Sequence, residues 1–223
     1  MLQITQVEPQ KSSRGRLASG RRYNVFLDGK FAFGADEDLV VNFRLVQGKE
    51  INPETLQKIL FEAEVGKLMD RMYRLFGIRA RSEKEIRDYL KRLSFKRKVK
   101  GQEELSEIVI EATVERLKQK QLLEDLEFAK DWVRARSAKK GKIAIQAELI
   151  KKGISKDIIE EALNENALGD QKQTALQLLE KKFKSSQTLD RFELKKKAYE
   201  FLLRRGFEYS VVSDVVESFL KKE

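Results

Sequence analysis

The chain has 223 residues, of which 41% are hydrophobic and 37% are charged, and its formal net charge is +10. This composition favours a helical protein with much hydrated surface over a compact β-sandwich or barrel, and the positive charge points to an anionic partner such as nucleic acid. The lack of cysteine excludes disulfides and thiolate metal sites, and the lack of histidine removes the usual general base near neutral pH.

The first 50 residues are predicted to form a small β-rich N-terminal extension. Residues 3–8 alternate weakly, as a strand does, and two β-prone runs (residues 23–27 and 31–33) flank Asp28-Gly29. Asp-Gly between such runs is a strong signal for a β-hairpin. A short helix is expected over residues 36–43.

A basic, glycine- and serine-rich segment separates the first strand from the hairpin. Its cations come without any acidic residue; they are Lys11, Arg14, Arg16, Arg21 and Arg22. Two interpretations stay open: a basic arm that reaches for phosphate, or a solvated mobile loop.

The helical region begins at Asn52-Pro53, because Asn is a good N-cap and Pro fits the first helical position. Ser82 with Glu85, and Asp190 with Glu193, form capping-box patterns that start further helices. Amphipathic stripes then predict helices over residues 53–76, from 82 onward, 105–121, 124–136, 142–152, 155–164, 171–183, 191–205 and 210–220.

An internal repeat organises this helical region. Residues 148–163 and 201–216 both contain a pair of cations followed by glycine, and the apolar residues after the glycine match in position. Gly206 lies 53 residues after Gly153. We therefore predict an all-α fold of three tandem three-helix repeats in an elongated curved array, behind the β-hairpin-containing extension. The expected domains are residues 1–50, 52–122, 123–168 and 169–223.

The sequence offers little for catalysis, so we expect a protein that is not an enzyme and uses no cofactor or metal. The best metal-nuclease candidates are Asp125 with Glu127 and Lys130, or Glu193 with Lys195. These groups are predicted to lie on helices, where their side chains diverge, whereas a nuclease needs carboxylates that converge on Mg²⁺. No glycine-rich phosphate-binding loop is present either.

Clusters of cations indicate a binding surface instead. The longest runs lie in residues 79–100 and 130–142, and cation pairs precede Gly153 and Gly206. The pairs could bind nucleic acid, or they could simply stabilise each helix by their attraction to the negative end of its dipole. Trp132 has two interpretations as well, a platform for base stacking or a core residue, and its helical spacing favours the core.

Three motifs, RARSEKEIRDYL (residues 79–90), LLEDLEFAKDWVRAR (122–136) and ELIKKGISKDIIEEAL (148–163), give a resemblance to a known family. In this order they resemble the RecX family, regulators of the bacterial recombinase RecA, over residues 68–220. The sequence RLSFKRKVKG (residues 92–101) departs from the family pattern, which has a glycine stop there. We expect either a longer helix or an inserted loop at this point.

The resemblance implies a role as well as a fold. It implies three helical repeats that bind in the groove of the RecA–DNA filament and inhibit ATPase, strand-exchange and co-protease activities, within DNA repair, DNA recombination and the SOS response. The implied partners are the RecA filament and single-stranded and double-stranded DNA. No membrane partner is expected, since no run is long enough to span a bilayer and no signal peptide is present, and we expect a cytoplasmic monomer.

Ten cations are the candidates for the surface that contacts RecA and DNA: Arg79, Arg81, Arg87, Lys91, Arg134, Arg136, Lys151, Lys152, Arg204 and Arg205. Two other functions remain open at this point. The chain could be a stand-alone DNA-binding protein, or a helical adaptor that does not depend on charge.

Overall fold

A computed structural model describes residues 1–10, 21–165, 171–184 and 190–222. The chain forms two compact units. Unit 1 comprises Met1–Arg81 and Ile86–Leu123, and unit 2 comprises Ser82–Glu85 and Glu124–Glu223. Within the described ranges, no helix is both long enough and apolar enough to cross a bilayer.

Unit 1 begins with an antiparallel sheet of β1 (Leu2–Pro9), β2 (Arg22–Leu27), β3 (Lys30–Asp36) and β4 (Glu50–Ile51), in the order β3-β2-β1-β4. The predicted hairpin is confirmed: β2 and β3 meet through Asp28 and Gly29, which have positive φ angles of 47° and 79°. The expected short helix follows as α1 (Glu37–Asn42), and the structure shows that Asp36 caps it. Most of the basic segment, residues 11–20, lies outside the described residues.

Three longer helices complete unit 1: α2 (Pro53–Phe76), α3 (Glu83–Val99) and α4 (Glu107–Gln119). The Asn52 side chain accepts a hydrogen bond from the Thr55 amide at 2.7 Å, so the predicted N-cap is confirmed. Their core is formed by apolar side chains of all three helices, among them Leu68, Met72, Ile86, Leu90, Val114 and Leu117. Only the first turn of α3 belongs to unit 2.

Unit 2 contains, in its described residues, helices α5 (Asp125–Arg136), α6 (Lys142–Lys151), α7 (Lys156–Glu165), α8 (Gln171–Phe183), α9 (Arg191–Arg204) and α10 (Tyr209–Lys222). One apolar cluster joins α5, α6 and α7, and a second joins α8, α9 and α10. The mostly helical fold with a small N-terminal strand region is therefore as expected. The residue boundaries of the three repeats remain a prediction.

The sequence left a longer helix or a loop open after residue 92, and the structure has the longer helix. Ser94 lies 59 residues before Gly153, the same separation as that between Leu90 and Leu149. Where α6 ends before a glycine of φ +83°, α3 continues to Val99 because serine does not interrupt it. The buried Ser94 hydroxyl instead accepts the Leu105 amide at 3.0 Å, which fixes the loop that follows.

Candidate binding surface

The ends of α6 and α9 are both built from two cations and a glycine. Gly153 and Gly206 have φ angles of +83° and +79°, a conformation in which a side chain would be strained. The chain therefore turns sharply at each glycine, and the carbonyl of the preceding cation becomes available to another element. In both places the start of a different helix supplies the hydrogen-bond donor.

At the end of α6, residues 151–153 contact residues 82–85 in the first turn of α3, and we name this contact the α6 joint. The buried Ser82 hydroxyl donates to the Lys152 carbonyl at 2.7 Å, and Lys152 Nζ lies 2.6 Å from Glu85 Oε1. The Lys84 side chain covers Gly153 so closely that an added Cβ would lie 2.5 Å from Lys84 Cβ. Side chains thus make most of this contact.

At the end of α9, residues 204–206 contact residues 139–144 before and within α6, and we name this contact the α9 joint. The Gly141 amide donates to the Arg205 carbonyl, and the Ile143 amide donates to the Gly206 carbonyl, both at 3.0 Å. Arg205 also donates from Nη1 to the Lys139 carbonyl at 2.8 Å. Backbone groups carry most of this contact.

Trp132 and Glu148 form a polar cluster beside the α6 joint. The guanidinium carbon of Arg136 lies 4.6 Å and Lys152 Nζ lies 5.0 Å from the centroid of the Trp132 ring, which is within the range of cation–π attraction. The Trp132 indole N–H donates to Glu148 Oε2 at 2.8 Å, and Phe128 stacks on the ring at 5.6 Å. These contacts place Trp132 in the packing of unit 2.

Glu148 gathers several donors at this cluster. Lys140 forms a short ion pair with it, and Arg136 Nε lies 3.4 Å from Oε2. Burial favours the protonated carboxyl, but the hydrogen bonds from Lys140 and Trp132 and the charges of Lys140 and Arg136 outweigh it. The pKa of Glu148 is therefore below its usual value, and the carboxylate stays ionised.

The ten candidate cations divide into two groups in the structure. Four are held by specific neighbours: Arg87 by Glu111, and Arg136, Lys152 and Arg205 by the contacts described above. Arg87 makes a bidentate pair with Glu111, at 2.7 and 2.9 Å, which lowers the pKa of Glu111. Its charge is therefore largely balanced within the protein.

The other candidates are mostly exposed. Lys91, Lys151 and Arg204 are exposed, and the last two occupy the first position of their cation pairs. Arg134 is exposed beside Asp131 at 3.0 Å, a surface pair that contributes little to stability. Arg79 is exposed and donates to the Ala80 carbonyl, and Arg81 is half-buried.

The structure also shows a basic cleft in unit 1 that the ten candidates miss. It has a volume of about 530 Å³, and its lining residues are Arg71, Tyr89, Arg92, Leu93, Lys96, Arg97, Lys100 and Gln102. Neither Arg87 nor Lys91 lines it, although both come from the same run of the sequence. The spacing of Arg92, Lys96 and Lys100, four residues apart, is the signal that could have found it.

The residues considered for a nuclease have other contacts. Asp125 Oδ1 accepts the Glu83 amide at 2.9 Å and so caps the start of α3. Glu127 pairs with Lys130 at 3.1 Å, and Glu193 pairs with Lys197 at 3.4 Å. Across the described ranges, no group of three or more acidic residues could hold a metal ion.

Models of three protein domains match this chain. Residues 2–52 match the N-terminal domain of the regulatory protein RecX, residues 125–163 match the second three-helix domain of RecX, and residues 170–216 match its third three-helix domain. The second and third matches coincide with α5 to α7 and α8 to α10.

Individual proteins and crystal structures agree with these domains. The chain is 34% identical to the regulatory protein RecX of Bacillus subtilis strain 168 over 96% of this chain and 76% of the relative. It is 29% identical to RecX of Clostridium botulinum strain Eklund 17B over 100% of this chain and 99% of the relative. A crystal structure of regulatory protein RecX superposes with a TM-score of 0.71, at 27% identity, over 97% of this chain and 100% of that one. This chain therefore belongs to the RecX family of regulatory proteins.

Proposed function

We propose that this protein regulates the RecA recombinase, mainly as an inhibitor, by binding in the groove of the RecA–DNA filament. It would thereby limit ATP hydrolysis and strand exchange in DNA repair, recombination and the SOS response. The observation that carries the proposal is the match to regulatory RecX proteins along nearly the whole chain. The formal charge of +10 supports an anionic surface as part of the target.

The geometry of the helix ends suggests which cations would contact the filament. Lys151 and Arg204 are exposed, and each is the last residue of its helix, α6 or α9. Lys152 and Arg205, one residue later, are half-buried and bind other parts of unit 2. The first cation of each pair is thus available for a partner, whereas the second stabilises the fold.

Weak contacts from several exposed cations would suit a partner that is a polymer, such as the RecA–DNA filament. Each exposed cation contributes little alone, but contacts made along one filament reinforce each other through a high effective concentration. Contacts to phosphate also release counterions, so capture by the filament should weaken as salt increases.

Sedimentation with three baits tests the target. The assembled filament with nucleotide should capture the protein much better than naked single-stranded DNA or recombinase alone. Equal capture by naked DNA would favour a stand-alone DNA-binding protein. Capture by recombinase alone that does not depend on salt would favour an adaptor.

Charge reversal at the exposed positions tests the surface. The Lys151→Glu/Arg204→Glu protein should require roughly tenfold more protein for half-inhibition of strand exchange and ATP hydrolysis, since two favourable contacts become repulsive. The control is Lys118→Glu/Lys197→Glu, which reverses two exposed lysines already paired with Glu115 and Glu193. Equal inhibition by the two double variants would contradict the assignment of Lys151 and Arg204.

A further inference from the structure

Helix α6 has an apolar stripe on its solvent side. Ile143 is 51% exposed, Ile150 is 53% exposed, and Ala147 between them is also exposed. At about 100° per residue, these three residues lie within roughly 60° of one another around the helix and span two turns. The core of unit 2 is on another side of α6, where Ile145 and Leu149 are fully buried. The helix is therefore apolar on two sides, whereas a surface helix of a globular protein needs only one.

The helices that correspond to α6 do not have this stripe. The same positions are Lys84, Asp88 and Lys91 on α3, 59 residues earlier, and Lys196, Glu200 and Leu203 on α9, 53 residues later. All six are exposed, so the fold places these positions at the surface in each case. Five of the six are charged, so packing does not require apolar side chains there. An exposed apolar stripe that the fold does not need is typical of a protein–protein contact.

The surface around the stripe is positively charged. Lys142 precedes the stripe and Lys151 follows it, and the helical spacing places them on opposite sides of the apolar residues. Within the described ranges, neither lysine forms an ion pair. The acidic residue of α6, Glu148, pairs with Lys140 and Arg136 instead. The two lysines beside the stripe are therefore available for acidic groups of a partner.

We propose that the stripe on α6 docks a helix of another protein, one whose own apolar stripe lies between acidic residues. Apolar side chains of that helix lie against Ile143 and Ile150, and the small side chain of Ala147 leaves space for a larger one between them. Acidic residues of the partner pair with Lys142 and Lys151, which fixes its orientation.

A second copy of this chain fits the stripe less well. An antiparallel pair of α6 helices that places Ile143 opposite Ile150 also places Lys142 opposite Lys151. A parallel pair places each lysine opposite its own copy. Like charges meet in both arrangements and repel, whereas acidic residues attract both lysines.

Two synthetic helical peptides provide the probes for the full-length protein. Both have leucine at positions i, i+4 and i+7 of one face; one has glutamate on either side of that face, and the other has lysine. The glutamate peptide should bind at least about tenfold more tightly in fluorescence anisotropy, and its affinity should fall as salt increases. The affinity should be weak, because a stripe of two turns buries little surface.

Polar substitution tests the apolar part of the surface. Ile143→Ser/Ile150→Ser should weaken binding of the glutamate peptide at least about tenfold, because two side chains lose the apolar area that docking buries. The matched control is Ile78→Ser/Ile108→Ser, since these isoleucines are 77% and 72% exposed and lie in unit 1. All four side chains are exposed, so both double variants should remain folded.

Charge reversal tests the flanking lysines. Lys142→Glu/Lys151→Glu should exchange the preference, so that the lysine peptide binds more tightly than the glutamate peptide. Lys118→Glu/Lys197→Glu is the control, because these lysines are paired with Glu115 and Glu193 away from the stripe. The control should keep its preference for the glutamate peptide.

Thiol alkylation locates the bound peptide. The chain has no cysteine, so Ala147→Cys provides a single thiol in the middle of the stripe. With about 90% of the protein bound to the glutamate peptide, this thiol should react with N-ethylmaleimide roughly tenfold more slowly, in proportion to the free fraction. The thiol of Ile108→Cys, exposed in unit 1, should react at an unchanged rate.

Any of five results would overturn the proposal. Three concern the peptides: equal affinity for both, equal losses in the isoleucine variants and their control, or an unchanged alkylation rate in Ala147→Cys. The fourth is a dimer in sedimentation that Ile143→Ser/Ile150→Ser abolishes, which would identify a second copy on the stripe. The fifth is equal protection of the thiol by oligo-dT, which would identify nucleic acid. Because recombinase is absent, failure here leaves the proposal of RecA regulation untouched, although Lys151 belongs to both surfaces.

Discussion

The α6 joint and the α9 joint share a sequence pattern but are built differently. Both accept a hydrogen bond at the carbonyl of the second cation, Lys152 or Arg205, directly before a glycine with positive φ. At the α6 joint the donor is a serine hydroxyl, and lysine and glutamate side chains complete the contact. At the α9 joint two backbone amides donate.

The facing helix causes this difference. Position 82 is serine before α3, and the equivalent position 141 before α6 is glycine. A Cβ at Gly141 would lie 2.3 Å from the Gly206 carbonyl oxygen, so only glycine lets the two backbones approach. We infer that the α9 joint is sensitive to any added atom, whereas the α6 joint is sensitive to the loss of particular side chains.

Adding one methyl group to each glycine should have the largest effect on stability and should affect the two joints differently. Gly206→Ala should destabilise the protein by about 3 kcal/mol or more, and Gly153→Ala by about 2 kcal/mol, in chemical denaturation followed by circular dichroism. Both incur the cost of positive φ. At Gly206, however, the new Cβ would lie 2.4 Å from the Ala144 backbone nitrogen. At Gly153 it would lie 2.5 Å from Lys84 Cβ, which moves only with its backbone, and 2.6 Å from Lys84 Cδ, which can rotate away.

Gly101 provides the control for these two substitutions. Its φ is +67°, and an added Cβ would meet no atom within 4 Å, so Gly101→Ala reports the backbone cost alone, about 1–2 kcal/mol. If Gly206→Ala were no more harmful than Gly101→Ala, the backbone contact at the α9 joint would be contradicted.

The sequence predicts the two helix ends but not what binds to them. Glycine after an amphipathic run is a local signal, and the positive φ of Gly153 and Gly206 follows from it. The donor to Lys152 is Ser82, 70 residues away, and no local pattern relates the two. For the same reason the cation pairs allowed both a binding role and a structural role, and the structure separates them by position within each pair.

The long α3 shows a second limit of sequence reasoning. Residues 92–101 were compatible with a helix or with a loop, because lysine and arginine suit both an exposed helical surface and a solvated loop. The buried contact between Ser94 and the Leu105 amide distinguishes them. Arg87, a candidate for the binding surface, is paired with Glu111, whereas Lys96 and Lys100, which were not candidates, line the cleft. The sequence could not separate them because it does not show which face of α3 meets Glu111.

Removal of one hydroxyl should destabilise the α6 joint and leave the α9 joint intact. Ser82→Ala removes the donor to the Lys152 carbonyl and the cap that accepts the Glu85 amide at 3.3 Å. We expect a loss of about 1–2 kcal/mol in the free energy of unfolding, because the carbonyl is left without its donor. Ser106→Ala is the control: Ser106 is exposed and caps α4 through the Val109 amide only. Equal costs for the two variants would show that the α6 joint adds nothing beyond capping.

The smallest effect concerns pH and the polar cluster of Trp132 and Glu148, which lies beside the α6 joint. Glu148 has a lowered pKa in the folded protein, whereas the residue 53 positions later on α9 is Phe201, which does not titrate. A carboxyl with a depressed folded pKa stabilises the protein above its unfolded pKa, near 4.3, and that contribution is lost as pH falls through the folded pKa. Between pH 7 and pH 3, the native protein should therefore lose more stability than Glu148→Gln.

Denaturation at a series of pH values checks this, with Glu200→Gln as the control for loss of one exposed carboxylate on α9. We expect Glu148→Gln alone to flatten the dependence of unfolding free energy on pH below about 4.5. The reason is that the Glu148 carboxylate, unlike that of Glu200, accepts a hydrogen bond from Trp132 and pairs with Lys140 and Arg136. Equal flattening in both variants would mean that the contacts of Glu148 in the cluster at Trp132 add nothing beyond those of an exposed carboxylate. A flatter curve in Glu148→Gln only would show that the cluster at Trp132 responds to acid through Glu148, a titrating group that α9 does not have at the equivalent position, Phe201.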